Sequence, residues 1–174
     1  ARSNEIKDLG IPMGKPLFEV QHILSNIQAS IFSSNYALYG DISRRIMNCL
    51  QQFSPLIEEY SIDEAFLFVA ECSPKKCIAL GRTIRDQIWK EIGVPVSVGI
   101  AKTKTMAKIA NHLAKKNHLF TEIIKRPIGV CGFFDLDIVN QIYQVLSVDE
   151  IWGVGRKYAQ KLNKFDIFSI ADFC

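Results

Sequence analysis

Two short runs that are apolar at nearly every position constrain this chain more than any other feature. They are Ala65-Phe66-Leu67-Phe68-Val69-Ala70 and Val94-Pro95-Val96-Ser97-Val98-Gly99-Ile100-Ala101. A strand turns successive side chains to opposite faces, so a run without polar alternation needs cover on both sides, from a sheet or a helix layer. Between the runs, residues 78–92 place Leu80, Ile84, Ile88 and Ile92 at helical spacing. Strands joined through a helix predict a small α+β sheet domain, with 65–70 as a central strand. With 174 residues, 48% of them hydrophobic, the chain is long enough to bury such a core in one or two domains.

The rest of the pattern is helical. Residues 1–9 read as a charged helix closed by Gly10, and 18–27 as an amphipathic helix. Residues 39–53 repeat that period through Tyr39, Ile42, Ile46, Leu50 and Phe53, and Pro55 ends it. After Pro127-Ile128-Gly129 the pattern is purely helical to the end, which sets a domain boundary there. The absence of an initial Met reads as part of a longer chain. No run approaches the roughly 20 apolar residues that span a bilayer, and no secretory leader opens the chain. A soluble, cytoplasmic protein is the expectation. Five cysteines, with Cys72 and Cys77 spaced too widely for a CxxC pair, favour neither a disulfide framework nor zinc.

Three constellations could carry chemistry. Ser61-Ile62-Asp63-Glu64 puts two carboxylates beside the most apolar run. A bend at Ile62 and Asp63 would let them converge, and a divalent cation or a basic partner would offset their charge. Hard oxygen ligands suit Mg²⁺, although an acidic hairpin tip is equally ordinary surface. The second constellation is a basic block: between Lys102 and Arg126 there are seven Lys/Arg and one acid, so the remainder of this +3 chain is net acidic. On a helix over 105–117, Lys104, Lys108, Asn111 and Lys115 form one stripe, with Met106, Ile109, Ala110 and Leu113 opposite. The stripe fits phosphate binding or a plain solvated face. The third is Trp152-Gly153-Val154-Gly155-Arg156-Lys157, a glycine turn opening a basic helix. Such a turn can grip a nucleic-acid backbone without reading bases, or simply join two helices tightly. His22, His112 and His118 share no ligand spacing, and Phe133, Phe134 and Trp89 read as core.

Taken in order, these words resemble one family, the Y-family translesion DNA polymerases, and within it the UmuC-like branch, the catalytic subunits of polymerase V. The matching stretches begin with Ala1-Arg2-Ser3-Asn4-Glu5-Ile6-Lys7-Asp8-Leu9-Gly10, Met13-Gly14 and Phe32-Ser33-Ser34-Asn35-Tyr36. They continue with Tyr60-Ser61-Ile62-Asp63-Glu64-Ala65-Phe66 and Val98-Gly99-Ile100-Ala101-Lys102-Thr103-Lys104-Thr105. Ala107-Lys108, Ala114-Lys115-Lys116 and Trp152-Gly153-Val154-Gly155 complete the set.

The resemblance implies a polymerase palm, with a small antiparallel-containing sheet and packed helices. Partial fingers at 1–30, the palm at 31–128 and a helix-hairpin-helix thumb at 129–174 follow from it. It makes Asp63 and Glu64 catalytic ligands of two Mg²⁺ ions, and Lys7 and Lys115 contacts to the incoming triphosphate. Asn4 stands where other branches carry a tyrosine. Lys104, Lys108, Gly153, Gly155, Arg156 and Lys157 become DNA contacts. The implied partners are primer-template DNA and deoxynucleoside triphosphates, with a UmuD-like accessory subunit, RecA and a sliding clamp. A further metal-binding Asp is expected before residue 1 and a little-finger domain after residue 174, so these residues alone are expected to be inactive. Two rivals stand beside the error-prone polymerase: a non-catalytic DNA-binding regulator that keeps palm and thumb, and an untemplated nucleotidyl-transferring or cyclising palm enzyme.

Overall fold

The computed structural model describes residues 2–115 and 129–174, which fall in two compact units, Ala1–Tyr36 and Ala37–Cys174. In the first unit, α1 (Asn4–Asp8) and α2 (Leu17–Asn26) enclose a small core of Ile11, Val20 and Leu24, backed by Ile6, Ile23 and Ala29. Gly10, at φ +73°, turns the chain after α1 in a conformation that a side chain would resist. The Arg2 guanidinium donates to the Ile11 carbonyl, tying the start of the unit to its core.

The second unit begins with α3 (Tyr36–Leu50), followed by β1 (Ile57–Ser61), β2 (Glu64–Leu67) and α4 (Pro74–Ile92). Then come β3 (Val98–Ile100), α5 (Lys104–Lys115), β4 (Val130–Gly132), α6 (Leu136–Val145), α7 (Arg156–Leu162) and α8 (Ile170–Phe173). The architecture is α+β, as the alternation of helical and strand patterns implies. Pro74 opens α4 and Gly93, at φ +77°, closes it, the two positions where each residue's backbone suits a helix end. Along α4 the buried stripe is Cys77, Gly81, Ile84 and Ile88.

Strands β1 and β2 form an antiparallel hairpin, pairing Ile57 with Leu67, Glu58 with Phe66 and Ser61 with Glu64, with a bulge between Glu59 and Ser61. Ile57, Ala65 and Leu67 pack on the core that α3 and α4 build from Met47, Cys49, Leu50, Ile84 and Ile88. Strand β3 pairs in parallel with β4, Val98 opposite Val130 and Ile100 opposite Gly132. A second core joins Ile109 and Leu113 of α5 to Cys131, Phe133, Val139, Ile142 and Ile170. Gly99 lets α5 lie directly on β3, because a Cβ there would overlap the backbone of Ala107 and Asn111.

Four expectations are corrected. The run at 65–70 is not a central strand: among the described residues β2 pairs with β1 alone, and Phe68 and Val69 are exposed. Its unbroken apolarity has another cause, since Ala65 and Leu67 face the core while Phe66 and Phe68 lie beneath the Lys104 side chain of α5. The stretch after residue 128 is not purely helical, because β4 completes the sheet with β3. Trp89 is 59% exposed, one position off the buried stripe and so about 100° around α4 from Ile88. Cys72 and Cys77 are joined in a disulfide across the start of α4, although neither position belongs to a CxxC pair.

Candidate active site at the β1–β2 hairpin

The alternation of the hairpin builds the site. Ile57, Ala65 and Leu67 occupy the core face, so Glu58, Tyr60, Glu64 and Phe66 share the other. Helix α5 presents Lys104 and Lys108, one turn apart on a single stripe, to this second face. Lys104 is ion-paired with Glu58 and lies over the Phe66 and Phe68 rings, 5.4 and 5.6 Å from their centroids. Lys108 Nζ donates to Glu64 Oε2 at 2.8 Å and lies 4.4 Å from the Tyr60 ring centroid.

Asp63 occupies the exposed turn between the strands, where its Oδ1 accepts the Ser61 hydroxyl at 2.6 Å. Glu64 follows at the first position of β2, with its side chain 32% exposed. Two adjacent carboxylates thus stand at the tip of an antiparallel hairpin, one in solvent and one half-buried beside a cation. Both offer the hard oxygens that suit Mg²⁺, and hydrogen bonds from Ser61 and Lys108 engage only one oxygen of each. They fit as two ligands of a hard cation. The set they form is partial: among the described residues no three His, Cys, Asp or Glu side chains are grouped to hold a metal ion.

Among the remaining predicted residues, Lys108 touches this pair through its bond to Glu64. Lys115 is exposed at the last position of α5, seven residues beyond Lys108 and so about 10 Å along the helix axis. The cation at Glu64 is therefore Lys108 rather than Lys115. Lys104 and Lys108, expected to bind DNA, are both engaged by hairpin carboxylates. Lys116, Lys125 and Arg126 of the basic block lie outside the described residues, as does the expected palm boundary at 128. Lys7 belongs to the first unit, where its Nζ donates to Asn4 Oδ1 at 3.0 Å. Gly153, at φ +94°, makes the turn before α7, and Gly155 caps that helix, leaving Arg156 and Lys157 exposed in its first turn.

Sequence reasoning missed the aromatic members. Trp152 Nε1 donates to the Tyr60 hydroxyl at 3.0 Å, and the two rings meet edge to face with centroids 5.2 Å apart. Phe66 packs 5.7 Å from Trp152. The Trp152 indole is thus turned to the hairpin. His112 Nδ1, one turn beyond Lys108, lies 3.1 Å from Glu150 Oε2 and adds a second tie between α5 and the segment carrying Trp152. The only local signal for this cluster was the aromatic at position 60 just ahead of the paired acids. No helix among the described residues is long and apolar enough to cross a membrane.

Known proteins assign the class and then the family. The fold is similar to the insertion ternary complex of Dbh DNA polymerase, with a TM-score of 0.80 and 29% identity over 96% of this chain and 45% of that one. A DinB family error-prone DNA polymerase from Sulfolobus solfataricus matches at a TM-score of 0.77 and 29% identity, over 96% of this chain and 47% of its own. The class is the palm-containing core of Y-family DNA polymerases, as the ordered motifs imply. Residues 1–112 match the impB/mucB/samB family, and the chain belongs to that family. Protein UmuC of Salmonella typhimurium is 39% identical over 175 residues, which is 99% of this chain and 40% of that protein. DNA polymerase IV of Saccharolobus solfataricus is 32% identical over 170 residues, 97% of this chain and 44% of its own length. The chain therefore spans about 40% of the length of the curated relatives it matches.

Proposed function

We propose that these residues form the catalytic core of an error-prone translesion DNA polymerase. The primer 3′ hydroxyl attacks the α-phosphorus of a deoxynucleoside triphosphate opposite a template base, and pyrophosphate leaves. The observation that carries this reading is the pair Asp63 and Glu64 at the hairpin tip, with Glu64 held by Lys108. Mg²⁺ held by these carboxylates, together with a further acid elsewhere in the protein, would supply charge neutralisation at the reacting phosphate. The chain's own contribution is positioning and electrostatics, without a covalent enzyme intermediate.

In this reading residues 1–30 belong to the fingers, 31–128 to the palm and 129–174 to a helix-hairpin-helix thumb. Lys115 and Lys7 contact the triphosphate. Gly153, Gly155, Arg156 and Lys157 follow the primer-template backbone, with Lys104 and Lys108 contributing only to the extent that their carboxylate partners release them. A cytoplasmic setting, a UmuD-like accessory subunit, RecA and a sliding clamp follow from the family resemblance alone.

Single-nucleotide primer extension by the complete protein tests the reading. Asp63→Ala and Glu64→Ala should abolish incorporation while DNA affinity holds, because these groups act on the reacting phosphate and repel the DNA backbone. Extension at the unsubstituted rate in both variants would make the acids structural and favour the regulatory DNA-binding alternative.

A further inference from the structure

We infer that Lys108, caged between the Tyr60 and Trp152 rings, is the positioning residue for the Glu64 carboxylate in cation binding. The inference rests on the polymerase reading of Asp63 and Glu64. The Lys108 ammonium has three partners, on β2, on β1 and in the turn before α7. It donates to Glu64 Oε2 at 2.8 Å, lies 4.4 Å from the Tyr60 ring centroid and lies 5.3 Å from that of Trp152. Both ring distances are within the range in which an aromatic face attracts a cation. The rings are themselves fixed, because the Trp152 indole donates to the Tyr60 hydroxyl and both rings pack on Phe66.

The neighbouring lysine shows what is particular to this arrangement. Lys104 also sits over two rings, yet the acid it engages is Glu58, four residues before the bend. Lys108 engages the acid adjacent to Asp63, and its side chain is the more buried of the two, 25% exposed against 36%. A cation beside a metal ligand opposes the metal by Coulomb repulsion, so the contact helps binding only if orienting the carboxylate outweighs that repulsion. The cage makes orientation the larger effect: an ammonium held by two rings cannot follow a swinging Glu64, so one carboxylate oxygen stays pinned while the other remains for a cation. Outer partners of metal-ligating carboxylates act this way, and losing one typically weakens metal affinity about 10- to 100-fold. Trp152 lies 92 residues from Tyr60, so the segment before α7 takes part in setting the acid's geometry.

The test is Mn²⁺ binding by the complete protein with primer-template DNA and a non-hydrolysable deoxynucleoside triphosphate, read from the electron paramagnetic resonance of free Mn²⁺. Lys108→Met should weaken binding about 10- to 100-fold and raise the half-saturating Mg²⁺ for incorporation in parallel. Lys108→Arg, which keeps the charge and stacks on rings, should recover binding to within roughly threefold. If Lys108→Met does not fold, Trp152→Phe replaces it. That variant keeps an aromatic while removing the indole hydrogen bond, and it should weaken Mn²⁺ binding severalfold. Unchanged or tighter binding in Lys108→Met, or in Trp152→Phe where it stands in, would overturn the inference, tighter binding marking the ammonium as a mere competitor. Glu64→Gln separates the two layers: if it leaves Mn²⁺ binding intact the polymerase reading of the acid fails, whereas if it weakens binding and Lys108→Met does not, only the positioning role fails.

Discussion

Gly99→Ala tests how closely the site depends on the seat of α5. Gly99 lies in β3, and a Cβ built there would overlap the Ala107 carbonyl oxygen and the Asn111 backbone nitrogen and sit 2.8 Å from Asn111 Cα. These atoms belong to the helix backbone, so no side chain can swing aside to make room. Ordinary carbon–carbon contact needs about 3.5–4.0 Å, so α5 must retreat by roughly 1 Å or more. Overpacking of this kind costs about 1–3 kcal/mol, and a backbone obstacle places it at about 3 kcal/mol. The same retreat would stretch the 2.8 Å bond from Lys108 to Glu64 beyond hydrogen-bonding range. Native-state hydrogen exchange of the complete protein is the assay, read at the amides of Ile109, Ala110 and Leu113, which are buried on α5. At 1.4 kcal/mol per tenfold, exchange there should accelerate roughly 100-fold, with metal-dependent incorporation falling alongside. Exchange within threefold of the unsubstituted protein would refute the argument, because the helix would have absorbed the methyl group without leaving the sheet.

Replacing both Arg156 and Lys157 with Ala should weaken DNA binding at low salt and lower the slope of log affinity against log salt by about 2, as expected if each neutralises one phosphate; an unchanged slope would remove α7 from the DNA path. At α8, hydrogen bonds from the Ser169 backbone and hydroxyl and from the Phe168 backbone hold the Asp172 carboxyl below the usual carboxylate range, so this cap is intact above that range and is lost as pH falls through it toward the lower folded value; the Phe168 and Ser169 amide resonances should report that titration, and a midpoint at or above the ordinary value would contradict it.

Part of the candidate site was legible locally. Paired acids after an aromatic and before an apolar run marked a bend between strands, and the bend is the β1–β2 turn. The basic stripe of α5 followed from helical spacing, and its apolar opposite face is buried at Ile109, Ala110 and Leu113. What spacing could not supply was the partner of each lysine. A lysine stripe serves equally for a phosphate backbone and for carboxylates of the same chain. Here the choice falls on Glu58 and Glu64, because the hairpin face opposite its core side lies under α5.

The sequence by itself marked the longer helices, the ends of α4 and the hairpin, because those rest on short-range terms. Apolar residues every 3.6 positions select a helix face, Pro74 and Gly93 suit the ends of α4, and two residues between β1 and β2 force a reversal. Only the tertiary structure decided that Val130-Cys131-Gly132 is a strand, that Trp89 faces solvent and that Trp152 closes a cage around Lys108. A three-residue strand has too little pattern to signal itself and exists through its pairing with β3. The cage joins residues 92 positions apart, and loop-closure entropy rises only slowly with such separation, so chain length hardly discriminates among possible partners. What selects them is the fit of surfaces that meet only once both cores have formed.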